Sequence, residues 1–474
     1  MQRIKGLTAI LLSLSSGLAG DAVDPNERSK PEVMETRDPP TSLLRIGLTR
    51  CFQSPLYMVL VAFAIRLIVM GFLYQEQLDP DRDHWKFAYE DGRLARSIVE
   101  GRGFSSPLFE DTGVSAWMTP VYPCLVAGVF KVFGVYSTAS AFVLLTFQAL
   151  VSALNCLPIF YFSRKLFGQR VGLWSGWAWA FFPYAVYFPM ERIWGTWLST
   201  LMLSILFLIA LHLEKSTRLW QWIGFGLLWG FTALTEPVVM TAWPFVTGWS
   251  ADCLYRRKSR WFLPLAASVL ALFLAVTPWF VRNYTIFGRF IPFRDTMGME
   301  IHMGNSGDTF HWRPRWIGPW HNDEEWKAFK ELGEVGYMDR EKRRGLDFIR
   351  SHPRWFAVMT VRRFTYIWTG FWSFDKRYLA EEPLDPPNVF FCTSLTILML
   401  IGLRRLWRED WRRAAFFSLV LFFFPSVFYV THVEVYYRRQ IDPLVVVLAV
   451  YSVSPRTKMP EDLLAEGKPG SIPV

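Results

Sequence analysis

Two neighbouring carboxylates, Glu90 and Asp91, follow an apolar segment and precede a stretch rich in glycine and proline. A carboxylate near a reacting hydroxyl group can take its proton, and partial burial at a membrane surface would raise the pKa of Glu90 toward the useful range. The alternative is a salt bridge with Lys86 or Arg93, which is the more common arrangement for an acid on an exposed helix. Glu90 is therefore the first candidate for a catalytic base, and Asp91 is the second.

Four arginines lie just beyond apolar segments, where a charged headgroup could reach them. They are Arg282, Arg289, Arg438 and Arg439. A planar guanidinium can donate two parallel hydrogen bonds to phosphate oxygens, although each arginine alone could equally contact lipid headgroups. We expect one or two of the four to bind a phosphate group. Glu191, beside Arg192 at the end of another apolar segment, is a candidate second acid.

Cysteine and histidine form no recognisable metal-binding pattern. The five cysteines are scattered without a C-x-x-C pair, and His302, His311 and His321 recur at spacings of nine and ten without a close pair. We expect neither a disulfide framework nor a structural metal site. The residues leave open whether a divalent metal takes part in any reaction.

Composition and apolar patterning define the class of protein. Of the 474 residues, 52% are hydrophobic and 19% are charged, whereas soluble proteins have about 25% charged residues. A helix needs about 20 apolar residues to cross a bilayer. Ten apolar blocks approach or reach that length, at 55–74, 138–162, 171–190, 193–213, 219–235, 238–254, 261–281, 389–403, 414–432 and 441–453. We predict an all-α membrane protein, a polytopic bundle of about ten transmembrane helices, with about nine to twelve as the acceptable range.

The basic residues indicate how the chain lies in the membrane. A net charge of +10 would fit a nucleic-acid binder if the cations clustered on a soluble domain. Instead, four short loops, all on the side of residues 1–54, carry fourteen cations and only three acids. This positive-inside pattern predicts a cytoplasmic N-terminus and no nucleic-acid partner. A cleaved signal sequence at 1–20 would invert the topology, so the charge pattern argues against one.

We divide the chain into a disordered cytoplasmic tail at 1–54, a membrane domain at 55–453 and a cytoplasmic tail at 454–474. Two long loops, 75–137 and 282–388, face the outside. In them we expect helices at 84–99, 125–133, 322–350 and 354–372. An interfacial helix at 84–99 would hold Glu90 near the bilayer surface.

Several motifs, taken in order, resemble the GT-C superfamily of integral-membrane glycosyltransferases, in particular the bacterial branch related to protein O-mannosyltransferases and lipid A aminoarabinose transferases. The matching motifs are EDGRLA at 90–95 with GRGF at 101–104, TPVYP at 119–123, the stretch 280–305 that opens with FVRNY, and YYRRQIDP at 436–443. Their order along a multi-span chain, rather than any single motif, carries the resemblance.

The resemblance implies that a sugar moves, with inversion, from a polyprenyl-phosphate carrier to an acceptor hydroxyl at the outer face of the cytoplasmic (inner) membrane. It implies an acid of the first outside loop as the base. That acid is usually aspartate in the family, whereas Glu90 stands at the aligned position with Asp91 beside it, so either can be the base. The expected partners are the lipid-linked sugar donor, membrane lipids and an acceptor that is a lipid, a glycan or a protein.

Two alternatives stay open. A transporter or flippase of lipid-linked sugars would hold its substrate near the membrane midplane on broken helices. An inactive member of the fold would keep the architecture without the base.

Overall fold

The computed structural model describes residues 52–77, 87–307, 317–370, 385–434 and 437–455. This part of the chain is helical and contains no strand, apart from an isolated antiparallel bridge between Ser105 and Val114. The predicted all-α class is confirmed for these residues. The predicted tails at 1–54 and 454–474 lie almost wholly outside them.

The helices fall into two groups along the chain. The first group is α1 (Pro55–Gln77), α2 (Tyr89–Val99), α3 (Val121–Phe133), α4 (Thr138–Leu154), α5 (Cys156–Phe167), α6 (Gln169–Ala180), α7 (Pro183–Glu191), α8 (Thr196–Leu213), α9 (Leu219–Thr235), α10 (Trp243–Arg256) and α11 (Phe262–Phe287). The second group is α12 (Met297–Gly304), α13 (Asp323–Ser351), α14 (Pro353–Thr369), α15 (Asp385–Glu409), α16 (Trp411–Phe423), α17 (Ser426–Val430) and α18 (Asp442–Val453). Two 3₁₀ turns, Pro237–Thr241 and Arg439–Ile441, connect members of the bundle.

Five helical segments in the described residues are long and apolar enough to cross a membrane. They are Pro55–Leu73, Thr138–Phe167, Thr196–Leu213, Phe262–Phe287 and Pro387–Glu409. The protein is therefore a membrane protein, and each segment coincides with one of the predicted apolar blocks. The predicted number of about ten transmembrane helices is not confirmed.

Proline explains why several helices of the structure are shorter than the apolar blocks in the sequence that predicted them. The block at 171–190 is divided into α6 and α7 ahead of Pro183, and the block at 238–254 begins as a 3₁₀ turn at Pro237. The block at 414–432 is divided at Phe424 and Pro425. A proline has no N–H to donate within a helix, so apolar composition alone overestimates how far each helix continues.

The break between α6 and α7 is filled by Arg66 of α1, which is fully buried. Its Nε donates to Ser152 Oγ at 2.9 Å, and its Nη1 donates to the Ala180 carbonyl at 3.1 Å. The end of a helix leaves carbonyl groups without helical partners, and Arg66 satisfies them. This arginine therefore pairs inside the bundle instead of extending to water.

Small residues bring α9 and α11 into close contact. A Cβ atom at Gly226 would overlap the Ser268 carbonyl oxygen, and one at Gly230 would overlap the Ala275 Cβ. Such small-residue spacing is a common way for membrane helices to pack. Because the contacts advance in the same direction along both helices, α9 and α11 run parallel.

The parallel pairing separates charges along the bundle. Both helices begin after basic segments, at 215–218 and 256–260. Glu236 follows the end of α9, and Arg294 follows the end of α11. The two basic segments therefore share one end of the bundle, and Glu236 and Arg294 share the other.

The expected loop helices form with shifted ends. The helix predicted at 84–99 is α2, and residues 84–86 lie outside the described part. The helix predicted at 125–133 starts earlier, at Val121, after Pro120, and the one predicted at 322–350 is α13, with a kink at Gly333. The helix predicted at 354–372 is α14, which ends at Thr369.

Gly226→Ala should lower the thermal midpoint of unfolding in detergent by several degrees, because its Cβ would meet backbone that cannot move aside. Overpacking of this kind costs about 1–3 kcal/mol. The matched control is Gly224→Ala on the same helix, where no atom lies within 4 Å of the added Cβ. Equal midpoints for the two variants, measured by thermal denaturation, would contradict the close pairing of α9 and α11.

Candidate active site

Helix α2 places Glu90 and Asp91 in its first turn, where the helix dipole favours acids. Glu90 is half-buried, whereas Asp91 is only 2% exposed. Burial raises the pKa of Glu90 to about 7, and burial together with the neighbouring Glu90 carboxylate raises the pKa of Asp91 well above its usual range. Of the two candidates, Glu90 is the one that a substrate can reach and that is partly ionised near neutral pH.

The alternative role for Glu90, a salt bridge with Lys86 or Arg93, is not seen among the described residues. Among them, Glu90 has no ion-pair partner within 4 Å, and Lys86 lies outside them. Arg93 donates to the Leu108 carbonyl at 3.3 Å and lies over the Phe109 ring at 4.4 Å. Arg93 therefore holds the loop that follows α2.

Four carboxyl groups interact electrostatically with the guanidinium of Arg294, and we name this group of side chains the acidic centre. Its members are Glu90, Asp91, Glu236, Arg294 and Glu300. Burial raises the pKa of Glu236, and Arg294 opposes that rise, as it does for Glu90 and Asp91. One guanidinium cannot balance four carboxylates, so some of these acids hold a proton at neutral pH.

A small cavity lies beside the acidic centre. It is lined by Phe188, Arg192, Trp194, Thr196, Trp197 and Arg439. The ring of Tyr89, the residue before Glu90, contacts the Trp194 ring with centroids 5.2 Å apart. The Arg192 guanidinium lies over both rings, at 5.9 Å from Tyr89 and 5.1 Å from Trp194. The wall of the cavity is therefore continuous with the start of α2.

Arg438 and Arg439 share one acid, Asp442, and all three side chains are buried. Arg438 Nε donates to Asp442 Oδ1 at 2.7 Å, and Arg439 Nη1 donates to Asp442 Oδ2 at 2.9 Å. Among the described residues, Arg438 Nη2 and both Nε and Nη2 of Arg439 have no hydrogen-bond acceptor. Two guanidinium groups against one carboxylate leave an excess positive charge. Buried donors without acceptors are costly, which suits this pair to an anion.

Arg282 and Arg289, the other two predicted phosphate ligands, have different contacts. Arg282 Nη1 donates to the Ser115 carbonyl at 2.6 Å, and its Nη2 donates to the Phe104 carbonyl at 3.1 Å. Arg289 forms an ion pair with Asp339 at 2.6 Å, and both side chains are exposed. The structure does not bring these two arginines to the cavity lining.

Glu191, the candidate second acid, lies at the end of α7. Its Oε2 is 3.4 Å from Arg192 Nε, and both side chains are half-buried. This places Glu191 behind a cavity-lining arginine rather than among the members of the acidic centre.

A second buried carboxyl pair, Asp295 and Glu334, fastens the first long loop to α13. The Ala116 amide donates to Glu334 Oε1 at 2.6 Å, and the Asp295 amide donates to the Ala116 carbonyl at 3.1 Å. Burial raises the pKa of Asp295 to about 6 and that of Glu334 well above its usual range. The Asp295 carboxylate raises the pKa of Glu334 further, whereas Glu334 lowers that of Asp295. Folding therefore favours a proton on this pair.

Several polar residues of this region could not be predicted as site residues, because no sequence motif distinguishes them. Arg294 and Glu300 lie inside the 280–305 motif, but they look like ordinary loop charges. His432 lies at the end of an apolar block, and its ring contacts Glu300 and Tyr437. Only folding brings Arg294 and Glu300 within electrostatic range of Glu90 and His432 into contact with Glu300.

The described histidines do not assemble a metal site. Within the described ranges, no group of three or more His, Cys, Asp or Glu side chains is arranged to hold a metal ion. His302 pairs with Glu341 at 2.5 Å. His311 lies outside those ranges.

No family model matches the chain, and no curated protein matches it. Solved structures with a similar course of the chain include the archaeal oligosaccharyltransferase AglB from Archaeoglobus fulgidus, in complex with an inhibitory peptide and a dolichol-phosphate. It is 12% identical with a TM-score of 0.43, over 87% of this chain and 53% of that chain. The apo form of the A. fulgidus oligosaccharyltransferase is 11% identical with a TM-score of 0.42, over 83% and 50%. ArnT from Cupriavidus metallidurans bound to undecaprenyl phosphate is 15% identical with a TM-score of 0.35, over 83% and 77%.

The chain spans about half the length of the oligosaccharyltransferases that it matches. AglB and ArnT are of the GT-C type, the superfamily that the sequence motifs resemble. Since each of these TM-scores lies below 0.5, the function proposed below rests on the residues of this chain.

The Asp295–Glu334 pair predicts a pH-dependent stability. An acid whose pKa is raised by folding contributes stability below its unfolded pKa, and that contribution is lost as the pH rises through the folded pKa of about 6 for Asp295. Wild type should lose thermal stability between about pH 5 and pH 8. Glu334→Gln keeps an acceptor for the Ala116 amide and removes one acid, so its melting temperature should fall less over this range. A parallel decline in both proteins would contradict a shared proton.

Proposed function

We propose that this protein is a membrane glycosyltransferase that moves a sugar from a polyprenyl-phosphate carrier to an acceptor hydroxyl, inverting the anomeric carbon. The observation that carries the proposal is the proximity, through Tyr89, of the half-buried Glu90 to a cavity that contains a buried arginine. Glu90, with a pKa near 7, belongs to the acidic centre, and its neighbour Tyr89 contacts the wall of a cavity that also contains Arg439. The polyprenyl carrier is the donor that the family resemblance implies.

Glu90 is the base in this proposal. Its carboxylate takes the proton from the acceptor hydroxyl as the oxygen attacks the anomeric carbon. A base works best when its pKa lies near the working pH, and burial brings Glu90 into that range. Asp91 is only 2% exposed and its pKa is raised well above its usual range, so in this proposal it supports the site without acting as the base.

Arg439, assisted by Arg438, holds the donor phosphate. As the bond between sugar and phosphate breaks, negative charge grows on the phosphate oxygens, and donors already in place stabilise it. Arg439 lies against the Tyr184 ring at 3.5 Å and the Phe188 ring at 4.8 Å, which fix the plane of its guanidinium. The apolar Phe188, Trp194 and Trp197 in the same lining suit the neighbourhood of a lipid carrier.

The charge distribution along the bundle supports an active site on the outer face of the cytoplasmic membrane. The basic segments before α9 and α11 lie at one end of the bundle, and the acidic centre lies at the other. If the basic end is cytoplasmic, as the positive-inside rule predicts, the acidic centre faces outward and the N-terminal tail faces inward.

The transporter hypothesis has less support from the same observations. Its expected feature, a broken helix, is present between α6 and α7, but Arg66 fills that break with hydrogen bonds to protein groups. The acids that could bind a polar substrate are gathered around Arg294 instead.

Glu90→Gln should reduce sugar transfer by about 10²-fold or more, because the amide cannot accept the acceptor's proton. Purified full-length protein would be incubated with a labelled polyprenyl-phosphate sugar and an acceptor hydroxyl. The wild-type rate should rise with pH through about 7, where Glu90 ionises. Asp91→Asn should keep more activity than Glu90→Gln, because Asp91 is buried and is not the base in this proposal.

The matched control is Glu100→Gln, which removes an exposed acid that follows α2. Equal turnover by wild type and Glu90→Gln would remove Glu90 as the base. A donor that crosses a vesicle membrane without being cleaved would support the transporter, and a wild type inactive with every donor would support the inactive fold.

Arg439→Gln should raise the KM for the donor about tenfold or more, because a hydrogen bond to a charged group contributes about 1.5–3 kcal/mol. Its control is Arg350→Gln, which removes an exposed arginine paired with Asp347. Unchanged donor KM in Arg439→Gln, from initial rates at several donor concentrations, would show that the phosphate binds elsewhere.

A further inference from the structure

Gln148 is a buried amide in the middle of an apolar helix. It lies on α4, within a segment long and apolar enough to cross a membrane, and its side chain is 1% exposed. A polar group at that depth is costly unless its hydrogen bonds are satisfied, so such residues commonly serve a function. Neither the acidic centre nor the lining of the cavity beside it includes Gln148.

The side-chain amide of Gln148 binds the backbone of the α7–α8 turn, residues 189–194. Its Nε2 donates to the Pro189 carbonyl and to the Arg192 carbonyl, each at 2.9 Å. Its Oε1 accepts a hydrogen bond from the Trp194 amide at 3.1 Å. Because a carbonyl only accepts and an N–H only donates, these partners fix which way the Gln148 amide faces. One side chain therefore holds the α7–α8 turn at three points.

The α7–α8 turn and the residues that flank it supply most of the cavity wall. Five of the six lining residues, all except Arg439, lie between positions 188 and 197, where α7 ends and α8 begins. The last carbonyls of a helix have no helical partner and need another donor. Gln148 provides two donors there, and so it fixes the path of the chain that carries Arg192 and Trp194.

Tyr122 supports the same turn and is 2% exposed. Its hydroxyl donates to Gln148 Oε1 at 3.4 Å. Its side chain packs against Gly195, where an added Cβ would lie 3.3 Å from both the Cβ and the Cγ of Tyr122. Tyr122 belongs to the TPVYP motif at 119–123, so this motif is part of the support of the cavity wall.

The TPVYP motif also contacts the backbone beside the acidic centre. The Thr119 hydroxyl donates to the Thr235 carbonyl at 3.1 Å, and Thr119 is buried. Thr235 immediately precedes Glu236, a member of the acidic centre. The motif therefore joins the backbone of the cavity wall to the backbone next to an acid of the centre.

We propose that Gln148 is a positioning residue for the lipid-linked donor, because it holds Arg192 and Trp194 in the wall of the cavity. This role rests on the proposed glycosyltransferase function and deepens it, since the cavity is the same one. Gln148 acts through the α7–α8 turn and not by contact with the donor. A site that is already ordered loses less conformational entropy when its ligand binds.

Gln148→Met and Gln148→Glu test this role in the full-length protein in detergent, with a labelled polyprenyl-phosphate sugar at several concentrations. Methionine keeps the length of the side chain but makes none of the three hydrogen bonds. The donor KM should therefore rise about tenfold or more, with kcat within about threefold of wild type. Glutamate keeps an acceptor for the Trp194 amide and, when protonated, one donor, so its KM should lie between those of wild type and Gln148→Met.

The matched control is Ser152→Ala, one turn further along α4. Ser152 is also buried, and its hydroxyl donates to the Ala185 carbonyl of α7 at 2.7 Å. Its loss removes a buried hydrogen bond to the same helix, but outside the α7–α8 turn. Ser152→Ala should lower the melting temperature in detergent and leave the donor KM unchanged, which separates weaker helix packing from loss of positioning.

Direct binding separates the role of Gln148 from the function on which it rests. Equilibrium binding of labelled polyprenyl phosphate, which carries no sugar, should weaken in Gln148→Met by about the same factor as the rise in KM. Gln148→Glu carries the same test if Gln148→Met does not fold.

Two results would overturn the positioning role and leave the glycosyltransferase intact. One is sugar transfer by Gln148→Met with wild-type donor KM and wild-type binding of polyprenyl phosphate. The other is a KM in Ser152→Ala raised as much as in Gln148→Met. If wild type cleaves no donor but binds polyprenyl phosphate, and Gln148→Met weakens that binding, the proposed function fails while the positioning role holds. If wild type also binds no polyprenyl phosphate, both fail.

Discussion

Arg294 is the cation on which the acidic centre depends, because its charge opposes the rise in pKa of Glu90, Asp91 and Glu236. The acids of this centre come from three separate segments: the start of α2, the end of α9 and helix α12. Without a central guanidinium, like charges in a half-buried place would either repel or all take up protons. With it, the electrostatic cost of placing these acids in one region is lower. Burial raises the pKa of Glu90 to about 7 and that of Asp91 well above its usual range.

Close helix packing supplies the positions of these segments. The glycines of α9 allow it to lie along α11, so that Glu236 and Arg294 arrive at the same end of the bundle. Gly304 does the same for α12 and the backbone before His432. In each case glycine has no Cβ to keep the two backbones apart. Charged side chains at nearby positions of the two segments can then approach each other. The polar chemistry of the site is thus a consequence of apolar packing.

Local sequence pattern predicted the long apolar helices but not the residues that come together from distant parts of the chain. The apolar blocks gave the all-α class and located the five longest apolar segments correctly, since bilayer-length runs need no tertiary partner to be recognised. Pro183, Pro237 and Pro425 interrupt runs that look continuous in composition, and the number of about ten crossings is not confirmed. Glu90 was selected from its neighbours in sequence, and its role as the base stays a prediction. Arg294, Glu300 and His432 were missed as members of its site because no local pattern marks them.

The amino-acid sequence by itself determined that the chain is helical and apolar, that its cations gather in short loops, and that Glu90, Asp91 and the Arg438–Arg439 pair are suited to acid–base and phosphate chemistry. Only the tertiary structure decided which of these groups meet. It left Glu90 half-buried and Asp91 buried, left Arg439 with unsatisfied buried donors beside the cavity, and engaged Arg282 and Arg289 elsewhere. The reason is physical: charge and hydropathy are properties of single residues, whereas burial, pKa and unsatisfied hydrogen bonds depend on distances between segments far apart in the chain.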